Sequence, residues 1–328
     1  MKRENLLNHN PNLSISTIDV VIPVYNGGKY VIDAIRSVEQ QTFKPQRIVV
    51  VDDGSTDKTS EVVLNYKSII PIEYLKKENG GPSSARNAGI KSCTSEYIAF
   101  LDADDEWYED KLKEQINVFT TTNFNNLGVV YCKYIFIDEN GDITDKYPVM
   151  VDLDSTVRGK VFEKLLEGKP VTGCSSGVLI KRECFDKAGF FDESLRIGED
   201  WDMWIRIAEH YEYDYVDKEL VKIRRHGNNT QGNDYYVFSN ILIFYNKWIE
   251  KLDSKSAANQ VCDRIIFKIR KLDFIEAANY VKTANKVLSK TTKRKLFIIT
   301  FGSLRLYLCI RIIAKLIRKG RNIFFKTS

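Results

Sequence analysis

The chain has 328 residues, 43% hydrophobic and 28% charged, with a formal net charge of +5. This is an ordinary globular make-up with enough chain to bury a sizeable core. There is no internal repeat, no low-complexity segment and no run of 18 or more uncharged apolar residues, which excludes an ordinary transmembrane helix.

Residues 1–17 read as a polar, Asn-rich flexible tail without the apolar core of a signal peptide. Residues 18–26 read as a buried strand running into a turn that Gly27 and Gly28 permit. Val31, Ile32, Ile35 and Val38 then recur at helical spacing. A second strand, residues 46–53, ends in Asp52–Asp53–Gly54–Ser55, and Thr56 or Asp57 caps a helix to about residue 67. A third strand (69–75), a Gly-rich loop (79–82) and a short helix (83–90) follow. The fourth strand, 96–101, breaks off in Asp102–Ala103–Asp104–Asp105, and a helix starts near Glu109. Beyond it the pattern predicts a strand over 127–138 with a hairpin turn at Asn140–Gly141. It predicts a helix over 161–167, a strand over 175–181 and a helix over 198–210 with Trp204 on its inner face. A strand-rich stretch, 211–225, then ends in Arg224–Arg225–His226, and from Asp234 onward the pattern is helical. Strands alternating with helices imply an α/β fold with a parallel sheet. Asp53 and the 102–105 acids then share one rim, outside the carboxyl ends of the strands, where open α/β sheets bind ligands.

Three carboxylates within four residues repel one another, and a divalent cation with oxygen ligands relieves that repulsion. Mg²⁺ takes only one or two carboxylates and fills its shell with water and substrate phosphate. The residues alone therefore leave two readings open: a metal that holds a phosphorylated substrate, or an acidic turn capping the following helix. The six cysteines (93, 132, 174, 184, 262 and 309) show no C-x-x-C and no metal-ligand spacing, and read as reduced core thiols.

The motifs V-I-P-V-Y-N, V-D-D-G-S-T-D, N-G-G-P-S-S-A-R-N, L-D-A-D-D and G-E-D-W-D-M-W together resemble glycosyltransferase family 2 in identity, order and spacing over residues 18–230. The resemblance implies a GT-A fold, a Rossmann-like, mostly parallel sheet flanked by helices. It implies inverting transfer of a sugar from a nucleotide-sugar, a UDP-sugar foremost, with Mn²⁺ or Mg²⁺ as cofactor. By the same resemblance Pro23 and Tyr25 line the base pocket, Asp53 accepts from a base N–H and Arg86 faces the ribose or diphosphate. Asp102 stands near the ribose and metal, and Asp104 is a metal ligand that Asp105 could share. His226 faces the diphosphate and metal, and Asp200 is the catalytic base. Glu199 and Trp201 fall on the acceptor side. Diphosphate leaves more easily with a cation on its oxygens, because negative charge builds there as the bond breaks.

The resemblance does not cover residues 231–328, which read as a helical extension. Between Lys295 and Phe325 apolar residues interleave with Arg305, Arg311, Lys315 and Arg318 on one stripe. A basic face against a broad apolar one reads as a helix lying in a membrane surface, or else as a helix packed on the domain or in a homodimer interface. The expectation is a cytoplasmic protein held peripherally on the inner face of the membrane, acting on a glycan or lipid-linked acceptor in bacterial cell-surface polysaccharide synthesis. No nucleic-acid motif accompanies the charge. The competing classes are a nucleotidyltransferase of related fold and a non-catalytic nucleotide-sugar binder. The first lacks its Gly-rich N-terminal signature, and the second predicts a lost acid where D-A-D-D and G-E-D are both intact.

Overall fold

The computed structural model describes residues 16–144, 157–166, 174–195, 197–227, 243, 247 and 248. Its first half is the expected alternation: β1 (Ile18–Val24), α1 (Val31–Glu39), β2 (Arg47–Asp52), α2 (Thr59–Asn65), β3 (Ile72–Lys76), α3 (Pro82–Ser92) and β4 (Tyr97–Phe100). β1 pairs in parallel with both β2 and β4, and β2 in parallel with β3. The second half comprises β5 (Glu106–Trp107), α4 (Lys111–Thr121), β6 (Leu127–Ile137), α5 (Phe162–Leu166), β7 (Val178–Lys181), α6 (Cys184–Ala188), α7 (Glu199–Ala208) and β8 (Glu212–Arg224). The eight strands form one sheet in the order β3-β2-β1-β4-β7-β6-β8-β5.

Side chains of a strand alternate between faces, so apolar runs such as Ile18–Val24 feed two cores at once. Val21, Val49, Ile98 and Phe100 pack on one face against α3, α6 and α7; Val20, Ile22, Val50 and Leu101 pack on the other against α1 and α4. α3 lies so close to β1 that a Cβ at Gly89 would come within 2.3 Å of Val21 Cγ1. That close approach, with Pro82 opening the helix, is why P-S-S-A-R-N-A-G folds as it does.

Three local readings change. The sheet is mixed rather than parallel throughout, because β7 runs antiparallel between β4 and β6 and β5 antiparallel to β8, although β6 and β8 pair in parallel. The acid cluster does not lead straight into a helix. Glu106 and Trp107 first pair antiparallel with β8, and the Trp107 indole donates to Ser176 O at 2.9 Å. The stretch 175–181 begins with a 3₁₀ turn, Ser175–Gly177, and becomes strand at Val178. The Asn140–Gly141 turn forms as expected, with Ile137 bridged antiparallel to Ile143.

Beyond residue 230, Trp248 is buried at 4% exposure in the core beneath α7. Its indole donates to Asp202 Oδ1 at 2.8 Å, and Lys247 pairs with Asp192 and Asp202. Most of the expected tail (1–15) and the amphipathic stretch 295–325 lie outside the described residues.

Candidate active site

β1, β2 and β4 run the same way, so their carboxyl ends open on one rim, and the D-D-G and D-A-D-D turns stand there together. The first turn is welded to the end of β1. Asn26, at φ 51°, accepts the amides of Thr56 (2.9 Å) and Asp57 (3.3 Å) on Oδ1, while its own amide donates to Ser55 Oγ. Asp52 points inward, accepting from the Ser55 amide (2.7 Å) and the Tyr74 hydroxyl. Asp53 lies at the mouth of α3, where the amides of Gly80 and Gly81 and the ammonium of Lys77 all donate to its carboxylate. It thus caps this segment. Tyr25 beside it is 55% exposed, a ring face available to a base, and Pro23 is half-buried behind.

The second turn divides its acids. Asp105 is buried, accepting from Ser176 Oγ (2.6 Å) and from the Arg224 amide (3.1 Å). Asp104 keeps 32% of its side chain exposed and meets His226 Nε2 at 3.0 Å. Burial, together with the charge of Asp102, raises the Asp104 carboxyl above its ordinary value, and His226 opposes the rise. Arg224 does not face the rim as loose charge. It is buried, donates Nε to Asp104 O (3.0 Å), pairs with Glu106 and reaches the carbonyls of Asp138 and Glu139. Tyr30 completes this corner: its ring stacks on His226 at 5.2 Å, with the Arg224 guanidinium 4.8 Å away.

α7 brings in the remaining acids. Gly198 at φ 78° turns the chain so that Glu199 and Asp200 open the helix. Arg86 on α3 joins the two halves, donating from Nη2 to Asp102 (2.8 Å) and from Nη1 to Glu199 (3.1 Å). Glu199, expected on the acceptor side, therefore turns its carboxylate toward the donor half. Burial and the charge of Asp200 push Glu199 up to about 7, while Arg86 holds it back. Burial also raises Asp200, against the pull of Arg86 and the Trp201 amide. Trp201 is half-buried, its indole donating to Leu165 O at 3.2 Å, and Trp204 is core.

Among the described residues no group of three or more His, Cys, Asp or Glu side chains is arranged to hold a metal unaided. The Asp104–His226 pair still fits a cation of the Mg²⁺ or Mn²⁺ type, which takes one or two carboxylates and completes its shell with phosphate and water. The buried Nε of Arg86 has no hydrogen-bond partner among the described residues, which leaves one donor for an anionic ligand. Sequence reasoning missed Lys77, Tyr30 and Ser176. Each acts through a partner distant in the chain, and only the position of Lys77 just ahead of N-G-G could have flagged it.

A mixed sheet flanked by helices, with paired acids on the rim of its parallel half, is the GT-A architecture of nucleotide-sugar transferases. Residues 19–189 match the family described as Glycosyl transferase family 2, and the chain belongs to that family. It is 32% identical to an uncharacterized glycosyltransferase of Rickettsia typhi over 285 residues, covering 84% of this chain and 85% of that protein. It is 38% identical over 215 residues to a longer one from Rickettsia conorii, of which it spans only 34% while 66% of this chain is matched. The putative teichuronic acid biosynthesis glycosyltransferase TuaG of Bacillus subtilis is 26% identical over 241 residues, 72% of this chain and 89% of TuaG. In fold the chain superposes on S. aureus TarS, solved in complex with UDP-GlcNAc, with a TM-score of 0.68 at 17% identity, covering 93% of this chain and 92% of that one.

Proposed function

We propose that this glycosyltransferase moves a sugar from a nucleotide-sugar, a UDP-sugar foremost, to a hydroxyl of a glycan or lipid-linked acceptor, with inversion, in cell-surface polysaccharide synthesis. The observation that carries the reading is the chain Asp102–Arg86–Glu199, which ties the donor-side acids to the start of α7 and so sets Asp200 on the same rim. Asp200 takes the proton of the acceptor hydroxyl as its oxygen attacks the anomeric carbon. The bond to the diphosphate breaks on the opposite face and its electron pair leaves on the diphosphate oxygen, so no covalent intermediate is needed. Tyr25 and Asp53 hold the base, and Arg86, from a position already flanked by two acids, meets the ribose or diphosphate. Asp104 and His226 would hold Mn²⁺ or Mg²⁺, whose charge would stabilise the departing diphosphate. The likeness to TuaG supports a surface polysaccharide as the product, and the basic, apolar stretch 295–325 supports attachment to the inner face of the membrane. The test is a panel of nucleotide-sugars with Mn²⁺ and membrane-extracted acceptors, followed by nucleotide release and product mass. A UDP-sugar that is consumed only with acceptor present supports the reading; no turnover and no binding across the panel removes it.

A further inference from the structure

We propose that Ser176 is a positioning residue for the cation. Its hydroxyl locks the Asp102–Asp105 turn so that Asp104 presents its carboxylate to the metal while Asp105 serves as an anchor. The proposal rests on the donor and metal reading above and adds to it the residue that decides which acid serves. The sheet brings Ser176 to this place. β4 and β7 pair antiparallel through Tyr97↔Lys181, Ile98↔Ile180 and Ala99↔Leu179. The same register, carried from Ala99 on to Asp102 and from Leu179 back to Ser176, sets these two opposite each other. A serine hydroxyl has one O–H to donate and two lone pairs to accept with. Ser176 Oγ donates to Asp105 Oδ2 at 2.6 Å and accepts the Asp102 amide at 3.1 Å, so one atom ties both ends of the turn. The Ser176 carbonyl accepts the Trp107 indole at 2.9 Å, which fixes the chain just beyond the turn. Ser176 is fully buried, which shields these bonds from water.

The consequence falls on the two acids. The Arg224 amide donates to Asp105 Oδ1 at 3.1 Å, so with Ser176 on Oδ2 both Asp105 oxygens are engaged inward. Asp104 stands between the tied ends of the turn, which the Asp105 amide closes by donating to Asp102 O at 3.0 Å. Its carboxylate meets His226 instead. Without the Ser176 hydroxyl the buried Asp105 carboxylate and the Asp102 amide each lose a partner at once, a cost the turn can escape only by shifting. Asp104 then shifts with it, and a metal ligand tolerates little displacement. The adjacent Ser175 is a matched comparison. Its Oγ is buried without a hydrogen-bond partner among the described residues, so it is a hydroxyl of the same kind that holds nothing.

The test is calorimetric binding of UDP to the full-length protein, with Mn²⁺ and with EDTA, for wild type, Ser176→Ala, Ser176→Thr and Ser175→Ala, with folding checked by circular dichroism. The quantity read is the gain in UDP affinity on adding Mn²⁺. Ser176→Ala should lower that gain at least ~10-fold, the scale of one hydrogen bond to a charged group, and leave UDP affinity in EDTA unchanged. Ser176→Thr keeps the hydroxyl and should restore much of the gain, and Ser175→Ala should keep all of it. A residue that only stabilised the fold would lower the melting temperature and leave the gain alone. Where Ser176→Ala does not fold, Ser176→Cys takes its place; its thiol is a weaker donor of similar shape and should also lower the gain. An undiminished gain in the folded variant overturns the proposal. So does an equal loss in Ser175→Ala, a folded Ser176→Thr no better than Ser176→Ala, or the failure of every Ser176 variant to fold. The donor reading survives each of these. A wild type that binds UDP with no gain from Mn²⁺ overturns the metal reading and this proposal with it, and one that binds no UDP under either condition overturns the UDP reading as well.

Discussion

Asp200 sits between opposing influences: burial raises its carboxyl, and Arg86 draws it back toward ionisation. In its proposed role as general base Asp200 must be deprotonated, so a raised value should move the acidic limb of the rate profile to higher pH than a free aspartate would give. Asp200→Asn should bind donor normally and transfer at least ~10²-fold more slowly, the scale of a missing general base. Undiminished turnover at saturating donor and acceptor would remove Asp200 from the chemistry. Asp104→Ala should abolish transfer and make nucleotide binding independent of Mn²⁺; near-normal Mn²⁺-dependent turnover would reassign the ligand. These positions could be read from the sequence because their motifs follow one another in fixed order along one rim. The split between Asp104 and Asp105 could not, because it depends on Ser176 and Arg224, which are 71 and 119 residues from Asp105. The double engagement of Asp53 was equally hidden, since its partners Lys77 and Gly81 arrive by way of β3 and the loop that follows.

At the scale of elements, the long strands and helices were legible from apolar periodicity, and β5 was not, being two residues long. What stabilises β5 is also what makes α4 unusual. Lys111 opens α4 fully buried, its ammonium 4.0 Å from the Trp107 ring and donating to Gln115 Oε1 at 2.9 Å. Burial pulls its pKa down to about 8. In the unfolded chain the value is ~10.4, so between these limits the unfolded state binds more protons and stability rises with pH. Below pH 8 both states are charged and the folded state carries the desolvation cost in full. Lys111→Met should therefore stabilise the protein at pH 7 by roughly 1–2 kcal/mol, after Gln115 loses its donor. The gain should fade above about pH 10. Urea denaturation at pH 7 and pH 10 checks this, and a destabilised variant at pH 7 would show that the ammonium is well solvated by its partners.

For the molecule as a whole, a boundary near residue 230 was read from the end of the strand-rich region, but the chain beyond it is not independent of the catalytic half. Trp248 lies in the core and both it and Lys247 grip Asp202 on α7. No local pattern announces this, since a Trp at helical spacing reads the same whether it packs on its own helix bundle or on a distant one. The expected membrane attachment belongs much further along. Removal of residues 291–328 should leave a domain that keeps Trp248 and still binds donor. That domain should no longer float with anionic vesicles, and the full-length protein's own binding should weaken as salt rises. If the full-length chain ignores anionic vesicles at low salt, or the truncated one unfolds, the stretch is a packing helix instead.

The grip of Trp248 on α7 constrains how this enzyme can be recombined with its relatives. A chimera joined at the apparent end of the strand-rich region would combine one parent's α7 with another's buttress. Asp202 would then face an unmatched surface beneath the helix that carries Asp200. Losing a buried Trp costs about 3–5 kcal/mol, enough to loosen that helix even where every catalytic motif is intact. Grafts spliced after residue 248 should fold and keep activity, and those spliced near 230 should express poorly unless residues 247 and 248 travel with α7. Melting temperatures of the two sets of hybrids would separate these outcomes.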